Sequence, residues 1–487
     1  MEWAAPLMFA ALVALLLSGF PVAFALVANG LLFAFIGMEQ GLIKPELMQA
    51  LPDRIYGIMR NDTLLAIPFF TFMGLVLERS GMAEDLLDTI GKLFGPVRGG
   101  VAFAVIFVGA LLAATTGVVA ASVISMGLIS LPVMMRYGYD HRVATGVIAA
   151  SGTLAQIIPP SLVLIVLADQ LGQSVGDMYE GALRPSLLLA GAYAGFIALL
   201  AVIRPQWVPA LPPQARQWNI AGDGAHATEQ HLQDNRAGLT GTPDSPRVWI
   251  TLRIALQVIS VLLPPLALIF LVLGTIFLGL ATPTEGGAMG AAGAVIIAAA
   301  KRRLGGDVLR EALAKTTQLS CFVLFILIGS TVFGLIFRAL DGDIWVERLL
   351  LDLPGGATGF LIAVNALVFA LAFFLDFFEL AFIIIPLLAP VAQKLGIDPI
   401  WFGVVLGVNM QTSFMHPPFG FALFYLRSVA PPAIKTTDIY WGAVPYVIIQ
   451  LLMVGLLIAF PGIVSHEPAA AQNDTPLMIE LPPDPNM

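Results

Sequence analysis

Residues 141–170 read HRVATGVIAASGTLAQIIPPSLVLIVLADQ. The segment is mostly apolar and longer than the ~20 residues that cross a bilayer as a helix. Its middle is interrupted at Gln156-Ile157-Ile158-Pro159-Pro160. Proline lacks a backbone donor and stops a helix interior. At membrane depth such a break is tolerated only where it is buried in protein or lines a cavity. The segment therefore predicts a broken membrane helix beside a cavity.

A second segment has the same pattern. Residues 399–428 read PIWFGVVLGVNMQTSFMHPPFGFALFYLRS and are broken at Met415-His416-Pro417-Pro418. Each broken segment follows an apolar segment that is interrupted in its own middle, at AATTG in 100–135 and at LDFFE in 358–393. The halves of these two segments are about 15 residues long, too short to span. We expect two re-entrant hairpins that open to opposite sides of the membrane, with tips near Thr116 and Asp376.

The two halves of the chain share an ordered series of residues. Pro132, Gly138, Asp140, Pro159 and Pro160 recur 258 residues later as Pro390, Gly396, Asp398, Pro417 and Pro418. Between positions 141 and 399 we count five crossings, and an odd number of crossings inverts the second copy. The crossings are 141–170, 183–204, 250–280, 284–301 and 316–340, because the hairpin 358–393 does not cross. Inverted repeats with paired broken helices are typical of secondary transporters whose site lies near the membrane midplane.

Composition supports membrane insertion. Of 487 residues, 58% are hydrophobic and 11% are charged, whereas soluble domains carry roughly 25% charged residues. A single cysteine excludes a disulfide framework and a cysteine zinc site. The sequence has no phosphate loop, so we expect no ATP hydrolysis. The apolar segment 4–37 is too long for one straight span, and the sequence allows either one tilted helix or two helices bent near Ser18–Pro21.

Positive charge predicts the orientation. Lysine and arginine cluster around 92–98, 136–142, 204–253 and 301–315, which we place in the cytoplasm. Residues 341–358 and the tail are acidic, and we place them outside. The polar residues 205–249 predict a connecting loop, and the acidic, proline-rich residues 466–487 predict a mobile tail.

Several motifs point to one family. They are LLAIPFFTFMG (64–74), ERSGMAEDLLD (78–88), ATTG (114–117), GTLAQIIPPS (152–161), ATPTEGGAMGA (281–291), LGIDPIWFGVV (395–405) and PPFG (417–420). In this order the sequence resembles the large, DctM-type membrane subunit of tripartite ATP-independent periplasmic (TRAP) transporters. The resemblance covers nearly the whole chain apart from 205–249 and the tail.

The resemblance implies an all-α, inverted-repeat elevator transporter in the bacterial inner membrane, not an enzyme. It implies sodium-coupled import of an organic acid anion, with a small four-helix membrane subunit (DctQ type) and a periplasmic substrate-binding protein (DctP type) as partners. The protein is also expected to contact the lipid bilayer, and it is not expected to bind nucleic acid. The expected parts are N-terminal scaffold helices and arm (1–99), first hairpin and broken helix (100–182), scaffold helices (183–357), second hairpin and broken helix (358–437), last helix (438–465) and tail (466–487).

Sodium requires oxygen ligands, which unwound helix breaks supply, and we expect two sites. The candidates in the first half are Thr115, Thr116, Gly117, Thr153, Ile158 and Pro159, and those in the second half are Asp376, Asn409, Thr412 and Pro417. Asp376 stands in an apolar run, where an unpaired carboxylate costs on the order of 3 kcal/mol. For membrane threonines the alternative is a hydrogen bond back to their own helix.

Substrate contact is expected from Ser161, Glu379, His416 and Arg427. The tip Asp376-Phe377-Phe378-Glu379 departs from the family, which commonly has smaller residues or proline after the aspartate.

Other functions stay open at this point. A stand-alone sodium/dicarboxylate-type symporter of related fold would need no partners. An intramembrane enzyme would need a nucleophile or metal set, and neither H-E-x-x-H nor G-x-S-x-G near a broken helix is present. A channel would need a continuous polar pore, whereas the polar residues here cluster at the breaks.

Overall fold

The computed structural model describes residues 3–212, 252–418 and 420–464. The side chains of Thr116, residues 252–255 and residue 257 are not described. Within these ranges the protein is helical and contains no strand, as the sequence predicts. The predicted tail 466–487 and residues 213–249 of the predicted loop lie outside the described residues.

Twenty α-helices of at least seven residues follow one another along the described chain. They are α1 Ala4–Leu17, α2 Val22–Glu39, α3 Ala50–Met59, α4 Ala66–Arg79, α5 Met82–Phe94, α6 Gly100–Thr116, α7 Val119–Arg136, α8 His141–Thr153, α9 Leu162–Leu171, α10 Val175–Ile203, α11 Leu252–Ile269, α12 Pro283–Ala300, α13 Gly306–Ala339, α14 Gly342–Leu351, α15 Gly356–Leu371, α16 Phe377–Ile383, α17 Ile385–Lys394, α18 Pro399–Met410, α19 Phe421–Val429 and α20 Thr436–Ala459. Among the described residues, six helices are long and apolar enough to cross a membrane, or up to eight if each of two bent pairs is one span.

The N-terminal apolar segment is two helices rather than one. α1 ends at Leu17 and α2 begins at Val22. The Asn29 side-chain amide donates to the backbone carbonyl of Met8 over 2.9 Å. Since Met8 lies well before the turn and Asn29 lies a similar distance after it, α2 folds back antiparallel to α1. Glycine and proline in Ser18–Pro21 end the helix here, where the sequence left both possibilities open.

The chain reverses between α6 and α7 at Gly117, whose φ of +59° is in the left-handed region that glycine tolerates. A Cβ on Gly109 of α6 would lie 2.6 Å from the Cβ of Ser151. On the other arm, Val123 of α7 lies just as close to Gly152. Both arms therefore contact α8 at one level, as an antiparallel hairpin.

The second hairpin lies against α18 in the same way. α15 runs parallel to α18, since the Phe360 and Phe402 rings are 6.0 Å apart and the Phe373 and His416 rings 4.2 Å apart. α17 meets α18 through the short turn 395–398 and so runs the opposite way. The chain reverses at 372–376, next to Asp376.

A shared turn precedes each broken helix. Gly138 and Gly396 adopt φ values of +80° and +69°. Two residues later the Asp140 carboxylate accepts from the amides of Arg142 and Val143, and Asp398 accepts from the amide of Trp401 over 2.7 Å. Glycine at a left-handed position and aspartate at an N-cap explain why these residues recur.

Each broken helix loosens before its proline pair. α8 passes into a 3₁₀ turn at Leu154–Gln156 and resumes as α9, and α18 passes into one at Gln411–Phe414 and resumes as α19. Both proline pairs, Pro159-Pro160 and Pro417-Pro418, are joined by a cis peptide bond. The breaks lie where the sequence predicts them.

Close helix contacts also occur at equivalent positions of the two halves. A Cβ on Gly30 of α2 would lie 3.3 Å from the Phe333 backbone of α13, and one on Gly290 of α12 would lie 2.5 Å from the Met73 sulfur of α4. Gly30 and Gly290 are 260 residues apart, as are Met73 and Phe333. These contacts support the inverted repeat, which stays a prediction in its other details.

Candidate functional site

A cavity of about 410 Å³ lies where the two hairpin tips meet the two breaks. The first half contributes residues 117–120, Gln156, Leu162 and Val163. The second half contributes residues 376–379, Phe414, Phe421 and Tyr425, and α13 adds Leu319 and Phe322. The volume is within the range of small-molecule sites. We call this space the tip cavity.

The tip cavity continues into a vestibule of about 1010 Å³. Val118, Ala120, Leu319, Phe322 and Tyr425 line both spaces. The vestibule reaches Arg303 and Lys315, within the basic segment that the sequence places in the cytoplasm. In this conformation the tip cavity is thus reached from the predicted inner side.

A separate pocket of about 390 Å³ lies near the other end of α13, lined by Arg54, Arg338, Asp343, Glu347 and Lys394 among others. The vestibule contacts α13 at 315–322 and this pocket contacts it at 327–338, so the two openings lie toward opposite ends of α13.

Helix α16 separates the tip cavity from this outer pocket. Phe378 lines the tip cavity and Phe382 lines the outer pocket, and their rings stack with centroids 6.5 Å apart. The Ser330 hydroxyl donates to the Phe382 carbonyl and holds α16 against α13. The tip cavity is therefore continuous with the vestibule and is divided from the outer pocket by α16.

Asp376 and Glu379 begin α16 as a reciprocal capping box. The Asp376 carboxylate accepts from the Glu379 amide over 2.8 Å, and the Glu379 carboxylate accepts from the Asp376 amide over 2.8 Å. This arrangement satisfies two backbone donors at the helix start. Part of the expected cost of a carboxylate here is thus offset by the helix terminus. Both residues line the tip cavity, and none of its lining residues is lysine or arginine.

The first-half candidates surround the other tip. The Thr115 hydroxyl donates to the Leu112 carbonyl over 3.0 Å. This is the hydrogen bond to its own helix that the sequence allows as the alternative to binding sodium. Thr153 donates to the Ala150 carbonyl over 2.8 Å and accepts from the Gln411 side-chain amide over 3.1 Å. A Cβ on Gly117 would lie 3.5 Å from the Pro160 carbonyl oxygen. The tip therefore lies directly on the first break.

Ile158, Pro159 and Pro417 lie within the two breaks, away from regular helix, as the sequence predicts. Thr116 ends α6, and its side chain is not described. No structural role follows for that hydroxyl.

The second-half candidates are buried at the other break. The Asn409 amide donates to the Asn365 carbonyl over 2.7 Å and to its side-chain oxygen over 2.9 Å. The Thr412 hydroxyl donates to the Asn409 carbonyl over 2.7 Å. These bonds tie the broken helix to α15, the first arm of the second hairpin.

Several buried oxygens near the breaks accept no hydrogen bond. They are the side-chain carbonyl oxygens of Gln156, Asn409 and Gln411. A buried polar atom without a partner costs free energy. Their chemistry matches the oxygen ligands that a sodium ion requires.

The predicted substrate contacts separate into two groups. Glu379 lines the tip cavity, whereas Ser161, His416 and Arg427 are not among its lining residues. Ser161 caps α9 and accepts from the Val163 amide over 3.1 Å. The His416 ring lies between Phe369 and Phe373, with centroids 4.4 Å and 4.2 Å away. Arg427 donates to the Ile434 carbonyl over 2.5 Å.

Sequence reasoning missed Gln156 and the aromatic lining. Gln156 carried a usable signal, because it is a polar residue directly before the first break. Phe322 and Tyr425 carried none, because they reach the tip cavity only through the packing of α13 and α19.

Comparison with known proteins gives consistent matches. The family model "Tripartite ATP-independent periplasmic transporter, DctM component" matches residues 9–463. The C4-dicarboxylate TRAP transporter large permease protein DctM of Pseudomonas aeruginosa is 27% identical over 87% of this chain and 90% of its own length. The ectoine TRAP transporter large permease protein TeaC of Halomonas elongata is 25% identical over 94% of this chain and 97% of its own length.

Two further matches are a sialic acid permease and a crystal structure. The sialic acid TRAP transporter permease protein SiaT of Haemophilus influenzae is 25% identical over 92% of this chain and 66% of its own length. The crystal structure of the Alcanivorax borkumensis YdaH transporter superposes with a TM-score of 0.56 at 16% identity, covering 86% of this chain and 90% of that one. That likeness shows the fold alone.

Proposed function

The chain belongs to the DctM component family of tripartite ATP-independent periplasmic transporters, and from this premise we propose that it imports an organic acid by sodium symport through the tip cavity. It is a multi-pass inner-membrane protein and a large permease subunit for organic acids. Sodium coupling, the ion sites and the transport motion are the proposed parts.

The observation that carries the proposal is the charge of the tip cavity. Two carboxylates, Asp376 and Glu379, line it without a lysine or arginine. At ~4 Å and an effective dielectric constant of 20, like charges repel by about 4 kcal/mol. An organic anion therefore needs cations to enter with it, and this requirement couples the two fluxes.

Sodium explains more of the local structure than protons do. A proton neutralises a carboxylate but leaves the unpartnered carbonyl oxygens of Asn409 and Gln411 unsatisfied. A sodium ion coordinates such oxygens and a carboxylate together. We assign one site to the second half, from Asp376, Asn409, Thr412 and the Pro417 carbonyl.

The proposed site in the first half is uncharged. It uses Thr115, Thr116, Gly117, Thr153 and the carbonyls of Ile158 and Pro159. Gly117 already lies next to the Pro160 carbonyl, which supports a site between tip and break. The bound ion would replace the back-bond of Thr115 to Leu112.

An elevator motion would carry both tips across the membrane together. The hydrogen bond between Thr153 and Gln411 joins the two broken helices, which favours their moving as one body. In the present conformation the stacked rings of Phe378 and Phe382 separate the tip cavity from the outer pocket. Exchange of the open and closed sides would expose the tip cavity to the outer pocket.

The family normally works with a small permease subunit and a periplasmic binding protein, and we propose the same two kinds of partner here. A stand-alone symporter is the second candidate, since residues of this chain alone line the tip cavity.

The test is reconstitution in vesicles with and without the products of the neighbouring genes. We expect sodium-driven uptake of a radiolabelled organic acid only when a small membrane subunit and a secreted binding protein are both present. Full uptake by this chain alone would favour the stand-alone symporter. Full uptake on a proton gradient without sodium would overturn the sodium assignment.

A further inference from the structure

The tip cavity has a second chemical feature besides its charge, namely two groups of contacting aromatic rings, which we call the aromatic walls. In the first wall Phe378 contacts Phe322 and Phe377, with centroid distances of 6.4 Å and 5.5 Å. In the second wall Phe421 contacts Phe414 and Tyr425, with centroid distances of 6.0 Å and 6.5 Å. All six rings line the cavity.

The polar groups of the tip cavity are mostly acceptors. Glu379 and Asp376 contribute carboxylates. Gln156 is 2% exposed, and its side-chain oxygen has no hydrogen-bond partner although the residue lines the cavity. This buried amide belongs to the first half, so it is independent of the acidic pair. A ligand that donates hydrogen bonds and carries positive charge complements all three.

Basic side chains in the adjoining vestibule are already paired. Arg303 bonds to Asp85 over 3.0 Å, and Arg79 bonds to Glu311 over 2.6 Å. Lys315 lies 3.4 Å from Glu311. An anion in the tip cavity thus meets no uncommitted cation from this direction.

We propose that the substrate is an organic acid that also carries an ammonium or quaternary ammonium group, and that this cationic group lies between the aromatic walls beside Glu379. The inference rests on the proposed function and names the substrate class of its site. Aromatic faces attract organic cations, whereas sodium at Asp376 prefers oxygen. The substrate's carboxylate then faces the sodium ions, and its cation faces Glu379.

The test uses pairs of probes that differ only in the cationic group. The pairs are glycine betaine and 3,3-dimethylbutyrate, β-alanine and propionate, and glutamate and glutarate. Binding is measured as thermal stabilisation of the purified full chain in nanodiscs at saturating sodium. We expect the zwitterion of at least one pair to bind about tenfold more tightly than the acid of that pair. In no pair should the acid bind more tightly than the zwitterion.

Glu379→Gln tests the assigned residue without removing the capping box, because glutamine also occupies this position of the motif. We expect the preference for the zwitterion to fall to about twofold or less. Glu285→Gln is the matched control, since Glu285 forms the same kind of capping box with Thr282 on the exposed end of α12. The control should keep the full preference.

Equal or tighter binding of the acid in every pair would overturn the inference, as would binding of no probe. Sodium-driven uptake by the three-subunit system is measured separately. If it proceeds while the acids are preferred, only the substrate class is wrong. If no sodium gradient drives uptake of any probe, the proposed function itself is wrong.

Discussion

The two hairpin tips have nearly the same backbone architecture but opposite electrostatic character. The first tip turns at Gly117 and follows the uncharged sequence Ala113-Ala114-Thr115-Thr116. The second turns at Asp376 and begins its helix with two carboxylates and two phenylalanines. Under the proposed function, one scaffold would build an uncharged ion site and a charged one, and only the charged half would make uptake strongly cation-dependent.

The largest expected effect concerns the sides from which the hairpins enter. In a background with Cys321→Ser, single cysteines replace Arg98, Arg136, Asp352 and Lys394 at the hairpin bases. We expect a membrane-impermeant maleimide to label 98 and 136 only from the cytoplasm, and 352 and 394 only from outside.

Labelling within one pair from opposite sides would show that the segment crosses the membrane. The hairpin assignment would then fail for that half. Lys44→Cys, which lies between α2 and α3 and in neither hairpin, serves as a control for access of the reagent to the protein.

The acidic tip should give the next largest effect. Asp376→Asn removes the charge but keeps an N-cap residue, so α16 should still form. A lost charged ligand is worth roughly 1.5–3 kcal/mol. We therefore expect the sodium concentration for half-maximal uptake to rise about tenfold or more in vesicles containing all three subunits.

Asp352→Asn is the matched control, because Asp352 is an exposed acidic residue of the same half. It should leave the sodium dependence unchanged. An unchanged sodium dependence in Asp376→Asn would move the assignment to Glu379 or His416.

The neutral tip should respond less. Thr116→Ala removes one uncharged oxygen, worth about 1 kcal/mol, so we expect a rise of about fivefold or less in the same assay. A rise larger than that of Asp376→Asn would reverse the proposed order of the two sites.

The smallest effect concerns the bond between the halves. Thr153→Val leaves the Gln411 amide without its acceptor in a buried place. We expect a loss of about 1–2 kcal/mol in the free energy of unfolding in sodium-free detergent, with a coupling of at least ~0.5 kcal/mol to Gln411→Met in a double-mutant cycle.

Thr412→Val should cost less, because its hydroxyl makes only a back-bond to the Asn409 carbonyl. Additive losses for Thr153 and Gln411 would show that the two breaks are not joined through this bond.

The sequence predicted the backbone features that depend on local chemistry. Proline pairs interrupt helices by local chemistry, so both breaks could be predicted from the sequence at Pro159 and Pro417. Gly138 and Gly396 end helices, and Asp140 and Asp398 cap the next ones, so the turns were readable too. The tips at Thr116 and Asp376 followed because neither half of each hairpin is long enough to span.

Features that depend on tertiary packing could not be predicted from the sequence. Whether Ser18–Pro21 bends or reverses the chain is decided by the Asn29–Met8 contact. The capping box of Asp376 and Glu379 depends on where α16 begins. Phe322 lies far from both tips in sequence, so its place in the tip cavity is a result of helix packing.

The central claim is that the acidic half holds its own sodium ion. The most direct measurement is equilibrium binding of ²²Na⁺ to the purified full chain by scintillation proximity, comparing the wild type with Asp376→Asn. We expect about two ions per wild-type chain and about one per variant chain, over a concentration range that saturates the wild type. Equal numbers of ions in both proteins would contradict it.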